Sequence, residues 1–211
     1  MLAATLEYVL SHREPLAAAL HAHLALSGLA LGLGALVAVP LGVWSARAPR
    51  VAGLAIPAVG VIRVVPSLAI LVLVLPYLGL GFRSALVALT VLALPPLLVN
   101  TYAGFRGVDP AVVEAARGMG MSPTRILASI EAPLASPVVL AGLRTAAVEV
   151  VASATLGAFI GAGGLGEFIV NGLGMADFRV LLAGAIPVAL LALAAEGGLG
   201  LTERLVRWAT T

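Results

Sequence analysis

The sequence predicts an all-α integral membrane protein, a single domain over residues 1–211 with about five membrane-spanning helices. Hydrophobic residues make up 61% of the chain and charged residues only 10%, and the mean hydropathy is +1.13. Because soluble domains carry about a quarter charged residues, most of this surface must face something other than water. Cysteine is absent, which excludes a disulfide framework, a thiolate metal site and a cysteine nucleophile.

The N-terminal part, residues 1–23, is predicted to lie at the membrane interface. It has no basic start and carries Glu7, so we do not expect a cleavable signal peptide. The first span covers residues 24–46, which is long enough because roughly 20 residues at about 1.5 Å each cross a bilayer. Arg47 and Pro49 follow directly and end this span.

The second apolar region, residues 54–78, contains Arg63, Pro66 and Pro76. It is consistent with one kinked helix, because membrane helices tolerate proline where neighbours satisfy the freed carbonyls. It is also consistent with a short interfacial piece that leads into a span over residues 64–82. The sequence leaves both alternatives open, and with them the choice between five and six spans.

Three further spans are predicted, over residues 84–102, 138–160 and 180–201. The fourth span leads into a glycine-rich run that contains Gly161, Gly163, Gly164 and Gly166. This run lacks the Lys-Ser/Thr pair of a phosphate-binding loop. We therefore predict close packing through small residues, together with a re-entrant turn near an outer gate.

The arginine residues predict the orientation of the chain. All 12 basic residues are arginine. Those next to the predicted loops divide seven to three between the two sides: Arg47, Arg50, Arg106, Arg117, Arg125, Arg204 and Arg207 against Arg13, Arg83 and Arg179. Since positive charge favours the cytoplasmic side, the N-terminus is predicted outside and the C-terminus inside. Their scatter beside apolar spans argues against a nucleic-acid partner.

The longest polar stretch, residues 105–133, falls between the third and fourth spans and so on the cytoplasmic side. Asp109 followed by Pro110 is a helix-start signal, with Asp as the cap and Pro in the first turn. Glycines break this helix, and Ser122-Pro123 starts a second one that is predicted to run through residue 130. The loop is thus predicted to be two short helices joined at a glycine turn and ending at Pro133.

Seven residues of this loop stand at a characteristic spacing: Glu114, Ala115, Ala116, Gly118, Gly120, Ile130 and Pro133. The spacing resembles the EAA loop of ABC importer permeases, apart from Ala132, where leucine is usual. The resemblance implies that residues 105–133 form a cytoplasmic coupling loop whose first helix docks on an ATPase subunit. Glu114 would contact the ATPase, Ala115 and Ala116 would allow close approach, and Gly120 would supply the turn.

Flanking runs, at residues 23–27, 63–68, 118–122, 154–166 and 184–187, resemble the osmoprotectant branch of this family. The resemblance implies a methionine-importer-like type I fold and a permease for glycine betaine, choline, carnitine or proline. Importers of methionine, other amino acids or sulfonates, which share the loop, are the alternative, and a stand-alone channel is a remote one.

The same resemblance implies the partners. They are two cytoplasmic ATPase subunits, a second copy or a related permease, and an extracytoplasmic solute-binding protein, all at a bacterial plasma membrane. This chain has no nucleotide-binding loop. It is therefore expected to be non-catalytic and without its own cofactor or metal, with ATP and Mg bound by the ATPase.

Four charged residues fall within apolar spans: Arg63, Arg144, Glu149 and Glu196. Each costs about 2.5–3.5 kcal/mol at a helix centre, so each needs a partner or water. Arg63 and Glu149 lie at about 14 Å and about 17 Å from the cytoplasmic side, and we predict that they meet across helices or share an aqueous cavity. The open alternative is that Arg63 snorkels and Glu149 caps a helix break.

Arg144 and Glu149 point about 140° apart on one helix and should not pair. Glu196 is predicted to be interfacial. Together with Ser67, the residues Arg63, Arg144 and Glu149 are candidates for the translocation path.

Overall fold

The computed structural model describes residues 2–210, and all regular structure in that range is helical. The α-helices are α1 (Leu2–Ser11), α2 (Arg13–Arg47), α3 (Pro49–Val64), α4 (Ser67–Leu78), α5 (Phe82–Arg106), α6 (Pro110–Gly118), α7 (Pro123–Ile126), α8 (Ala132–Ala154), α9 (Gly166–Gly174) and α10 (Phe178–Thr210). A π-helical turn, Leu127–Glu131, joins α7 to α8, and a 3₁₀ turn, Thr155–Ile160, extends α8. The all-α prediction is confirmed.

Four helical runs are long and apolar enough to cross a membrane: Arg13–Arg47, Phe82–Arg106, Pro123–Ile160 and Phe178–Trp208. Helices α3 and α4 pass the same test only as a pair, and they are bent by 102°. Counting that pair as one broken span gives up to 5 spans. The predicted number of about five agrees with this count.

The bend between α3 and α4 lies in the region for which the sequence left two alternatives, one kinked helix or a short interfacial piece followed by a span over residues 64–82. Val65 is extended, with ψ 125°, because the ring of Pro66 disfavours the helical region for the residue before it. Helix α4 then restarts at Ser67. The region is therefore not one kinked helix, and its second half begins at residue 67 rather than at residue 64.

Two helices differ in extent from the predicted segments. Helix α2 is continuous from Arg13, so part of the predicted interfacial segment belongs to the first long helix. Helix α7 continues through the π-helical turn into α8 without a stop at Pro133. In the π turn, a backbone N–H bonds the carbonyl five residues before it instead of four. The Ala132 N–H donates to the Leu127 carbonyl in this way. This spacing lets the chain accommodate a proline that would otherwise disrupt a helix.

The core is built where small residues let helices approach closely. Helices α2 and α5 run parallel, and a Cβ added at Gly42 would lie 2.7 Å from the Cβ of Thr101. Helices α5 and α8 run antiparallel, and a Cβ at Gly142 would lie 2.6 Å from that of Asn100. Close backbone approach of this kind drives helix association in lipid, where no hydrophobic force acts between helices.

Large apolar side chains cover the outside. Leu36 on α2, Leu54 on α3 and Leu193 on α10 are 71%, 77% and 67% exposed. Soluble proteins rarely leave so many large apolar groups in water, whereas lipid tails solvate them. The multi-pass membrane prediction thus agrees with both the lengths and the surfaces of the helices.

The bundle has two distinct ends. At the arginine-rich end, Arg47 at the end of α2 forms an ion pair with Glu131 of the π turn. At the opposite end, the Gly81 N–H donates to the Ile160 carbonyl at 2.7 Å, which ties the start of α5 to the end of the 3₁₀ turn. The coupling loop therefore lies with Arg47, and the glycine-rich run lies at the far end.

Candidate functional site

The first helix of the coupling loop begins as its sequence predicts. The Oδ1 of Asp109 accepts the N–H of Ala111 at 2.8 Å, and Pro110 occupies the first turn. The carboxylate thus satisfies one of the N–H groups that a helix start leaves unpaired. The predicted capping by Asp109 is confirmed.

The turn after α6 depends on Gly120. This residue has φ +79°, its N–H donates to the Arg117 carbonyl at 2.9 Å, and the Met121 N–H donates to the Ala116 carbonyl at 3.1 Å. The two bonds form a Schellman motif, which needs a left-handed residue at this position. A Cβ at Gly120 would meet nothing within 4 Å, so conformation and not space favours glycine here. Gly118, by contrast, is the last residue of α6.

The EAA residues do not share one environment. Glu114 and Ala115 are exposed, whereas Ala116 is fully buried at 0%. The small side chain of Ala116 therefore lets α6 pack closely on its own chain. The close approach of Ala115 and Ala116 to an ATPase stays a prediction. The surface that α6 offers to a partner consists of Glu114 and its exposed neighbours.

The second half of the loop is helical and continuous with a membrane helix. Ile130 and Pro133, both half-buried, lie within the continuous run Pro123–Ile160 that contains α8. The Ser136 hydroxyl donates to the Pro133 carbonyl at 2.7 Å and closes the turn after the proline. The helical run is therefore continuous from α7 into α8.

A polar cleft of about 220 Å³ separates α6 from the ends of α2 and α5. Its lining includes Arg47, Arg106, Glu114, Arg117 and Glu131. The ion pair of Arg47 with Glu131 closes one side of it and links α2 to the π turn. This pair is not predicted from the sequence, although both residues flank predicted spans at the same end.

The intramembrane charges fall into two groups, and the first is Arg63 with Glu149. Both line one cavity of about 250 Å³ at the break between α3 and α4, together with Ser67 and Ser153. Both side chains are exposed on the chain surface. The structure brings these two residues to a common cavity, as their depths predicted.

The second group is centred on Arg144. Its Nη1 lies 3.5 Å from an Oε1 of Glu196 and 3.6 Å from an Oε2 of Glu203, both on α10. Glu203 is 7% exposed and also pairs with Arg207 at 2.8 Å. Arg144 thus points away from Glu149, as predicted, and ties α8 to α10. It does not line the cavity of Arg63, so the structure separates it from the other candidate path residues.

The glycine-rich run forms a turn at the opposite end. Gly161, Gly163 and Gly164 all have positive φ, and the Ala162 N–H returns to the Gly157 carbonyl at 2.9 Å. A Cβ at Gly166, the first residue of α9, would lie 2.1 Å from the Thr155 carbonyl oxygen. The run therefore combines a left-handed turn with close packing, and α9 turns back beside it.

A buried histidine supports this turn. His23 is fully buried, and its Nε2 lies 3.1 Å from the Val151 carbonyl oxygen. A Cβ at Gly164 would approach its Nδ1 to 3.3 Å. His23 therefore fixes α2 against α8 and the glycine run. Nothing in the sequence near His23 signals a contact with residue 151.

The link from α9 to α10 repeats the Schellman motif with a residue poorly suited to it. The Ala176 N–H donates to the Leu173 carbonyl, the Asp177 N–H donates to the Gly172 carbonyl, and Ala176 has φ 52°. The guanidinium and the N–H of Arg179 both donate to the Asp177 carboxylate, and they lower its pKa to about 2. Asp177 therefore stays ionised at the start of α10.

Comparison with known proteins extends these observations. Residues 38–208 match the family described as binding-protein-dependent transport system inner membrane component. The chain is 48% identical to the carnitine transport permease protein OpuCB of Listeria monocytogenes, over 86% of this chain and 83% of that protein. It is 43% identical to the choline transport system permease protein OpuBB of Bacillus subtilis, over 86% and 84% of the two chains.

Solved structures show the same fold at lower identity. A chain of the methionine ABC transporter MetNI in an inward-facing conformation matches with a TM-score of 0.74 at 23% identity, over 95% of this chain and 98% of that one. A chain of an amino acid ABC transporter with histidines matches with a TM-score of 0.75 at 22% identity, over 93% and 96%. The predicted methionine-importer-like fold is confirmed.

Proposed function

We propose, from the premise that this chain belongs to the family of binding-protein-dependent transport system inner membrane components, that its cargo is a small compatible solute. Membership of the family makes it the membrane-spanning permease subunit of an ABC importer. Relatives at 42–48% identity carry names that specify carnitine, choline or glycine betaine. The cargo proposed here is accordingly of the carnitine, choline and glycine betaine class.

The observation that carries the coupling part of this proposal is the unbroken helix from Pro123 to Ile160. It joins the partner-facing coupling loop to the membrane helix that bears Glu149. When ATP closes two cytoplasmic ATPase subunits, α6 moves with them, and this helix transmits the displacement to the level of the cavity. Energy must come from those partners, because the chain contains no phosphate-binding loop of its own.

The remaining partners follow from the same reasoning. A charged residue at mid-membrane depth is expensive in contact with lipid, so the exposed face with Arg63 and Glu149 is expected to meet an aqueous path or another permease subunit. A second copy or a related permease would close that path, and a solute-binding protein would deliver cargo at the opposite end of the bundle. The coupling loop and the C-terminus then lie in the cytoplasm.

Reconstitution tests the proposal. The permease, its ATPase and its binding protein are placed in proteoliposomes, and ATP-dependent uptake of labelled carnitine and choline is measured. Glu114→Arg should reduce uptake at least about tenfold, because reversing a charge at an interface opposes docking. The matched control is Glu7→Arg, an equally exposed glutamate on α1, which should retain uptake. Solute movement without ATP or without the ATPase would contradict the proposal.

A further inference from the structure

We propose that the cavity between α3 and α8 is a binding site for zwitterionic solutes, in which Arg63 holds a carboxylate and Glu149 faces an ammonium group. This inference rests on the proposed function and adds a preference among its solutes. It predicts that the membrane subunit itself distinguishes a zwitterion from a simple cation.

The first support is a pair of opposite charges at one cavity. Arg63 and Glu149 both line it, and the described side chains of the two form no direct ion pair. Charges placed in a membrane normally pair or line a path. Two opposite charges held apart across a cavity leave room for a molecule that carries both complementary charges.

The second support is the size and composition of the cavity. Its volume is about 250 Å³, which is smaller than the roughly 300–1,000 Å³ of sites for drug-sized ligands and suits a small solute. Ser67 and Ser153 add hydroxyl groups, and the accessible lining is mostly polar because Leu92 and Pro95 are themselves buried. Hydroxyls can bond a carboxylate, so this lining suits a charged solute.

The third support is the guanidinium of Arg63 itself. Arg63 lies in the last turn of α3, and α4 begins at Ser67 on the other side of the break. The partial charges of these two helix ends have opposite signs and oppose each other, so the guanidinium supplies the positive charge at this end of the cavity. Arginine also binds a carboxylate through two parallel hydrogen bonds, which a lysine cannot do.

Carnitine and choline make a suitable pair for the test because both carry a trimethylammonium group and only carnitine carries a carboxylate. Glu149 can face either solute, whereas Arg63 has a partner only in carnitine. The measured quantity is the ratio of carnitine uptake to choline uptake by the complete transporter in proteoliposomes. The same binding protein is used with the variant and with the unmodified permease. Its own selectivity therefore affects both uptake ratios equally and does not change the comparison between them.

Arg63→Gln should lower the carnitine-to-choline ratio roughly tenfold, since a charged hydrogen bond is lost for carnitine alone. Glu149→Gln should lower uptake of both solutes together and leave the ratio near its original value. Arg63→Lys keeps the charge and should recover part of the ratio. The matched control is Arg50→Gln, at the start of the same helix and away from the cavity, which should leave the ratio unchanged.

A loss of carnitine and choline uptake by the same factor in Arg63→Gln would overturn the inference, because it would indicate a purely structural or gating role. If Arg63→Gln fails to assemble with the ATPase, Ser153→Ala provides the test, with a smaller fall in the ratio expected and an unchanged ratio counting against the site. Unmodified permease that carries choline but not carnitine would refute this inference and leave the proposed function intact. Absence of any ATP-dependent uptake would refute the proposed function itself.

Discussion

Arg144 on α8 and Glu203 on α10 form a cross-helix ion pair, with Nη1 of the first 3.6 Å from Oε2 of the second. The Glu203 side chain is 9% exposed and that of Arg144 is 33% exposed. Glu203 Oε2 has no hydrogen bond within the described residues. Arg144 offsets the burial of this oxygen together with Arg207, which pairs with the other oxygen of the same carboxylate. The contact with Arg144 is the one that holds α10 against α8.

Arg144→Met should therefore lower the free energy of unfolding by about 1–3 kcal/mol, less than for a fully buried pair because Arg144 is partly exposed. Thermal unfolding in detergent measures the loss. The double variant with Glu203→Gln should lose less than the sum of the single variants, since the two residues interact. Arg204→Met, an exposed neighbour on α10, is the control and should change little. Additive single effects would contradict the pairing.

Gly120 and Gly118 in the coupling loop allow the effect of backbone conformation to be distinguished from the effect of steric space. A Cβ at either residue would meet nothing within 4 Å, yet only Gly120 has a positive φ, +79°. Gly120→Ala should therefore cost about 1–2 kcal/mol through left-handed strain, whereas Gly118→Ala, at a helical residue, should be neutral or slightly stabilising. Hydrogen exchange at Met121 and co-purification with the ATPase report the difference. Equal effects of the two substitutions would show that the turn does not depend on Gly120.

The local features of the coupling loop were predictable because each depends on a few adjacent residues. Asp109 caps the helix that starts one residue later. The turn after it is closed by the N–H groups of Gly120 and Met121, which donate to carbonyls three and five residues before them. The Arg63 and Glu149 cavity was predictable from depth, because charges in a membrane must find a shared polar region. The depth of the two residues predicted that they share a cavity, but it did not predict the distance between them.

Features set by tertiary packing were not predictable in the same way. Proline usually ends a helix, so the continuous run through Pro133 depends on the π-helical turn that the sequence does not signal. The partners of Arg144 lie on another helix, α10. Which carboxylates a long arginine side chain reaches depends on which helix packs beside it, and the sequence does not give that packing. The burial of Ala116 likewise follows from how α6 rests on its own chain.

Ala176 occupies a position that favours glycine. Its φ of 52° closes the Schellman motif after α9, and a Cβ in this conformation is strained. Ala176→Gly should raise the free energy of unfolding by about 0.5–1 kcal/mol, the relieved strain exceeding the entropy that glycine costs. The control is Ala17→Gly, an exposed alanine within α2, which should have the opposite sign. A lower melting temperature for Ala176→Gly would contradict the argument.

The absence of cysteine makes the orientation of the chain directly testable. Met119 in the coupling loop and Met175 after α9 are both 74% exposed and lie at opposite ends of the bundle. A membrane-impermeant maleimide added to intact cells should label Met175→Cys, and it should label Met119→Cys only after the membrane is opened. The arginine distribution predicts this result, because positive loops stay in the cytoplasm. The reverse pattern would place the coupling loop outside the cell, away from any ATPase, and would refute both the orientation and the docking role.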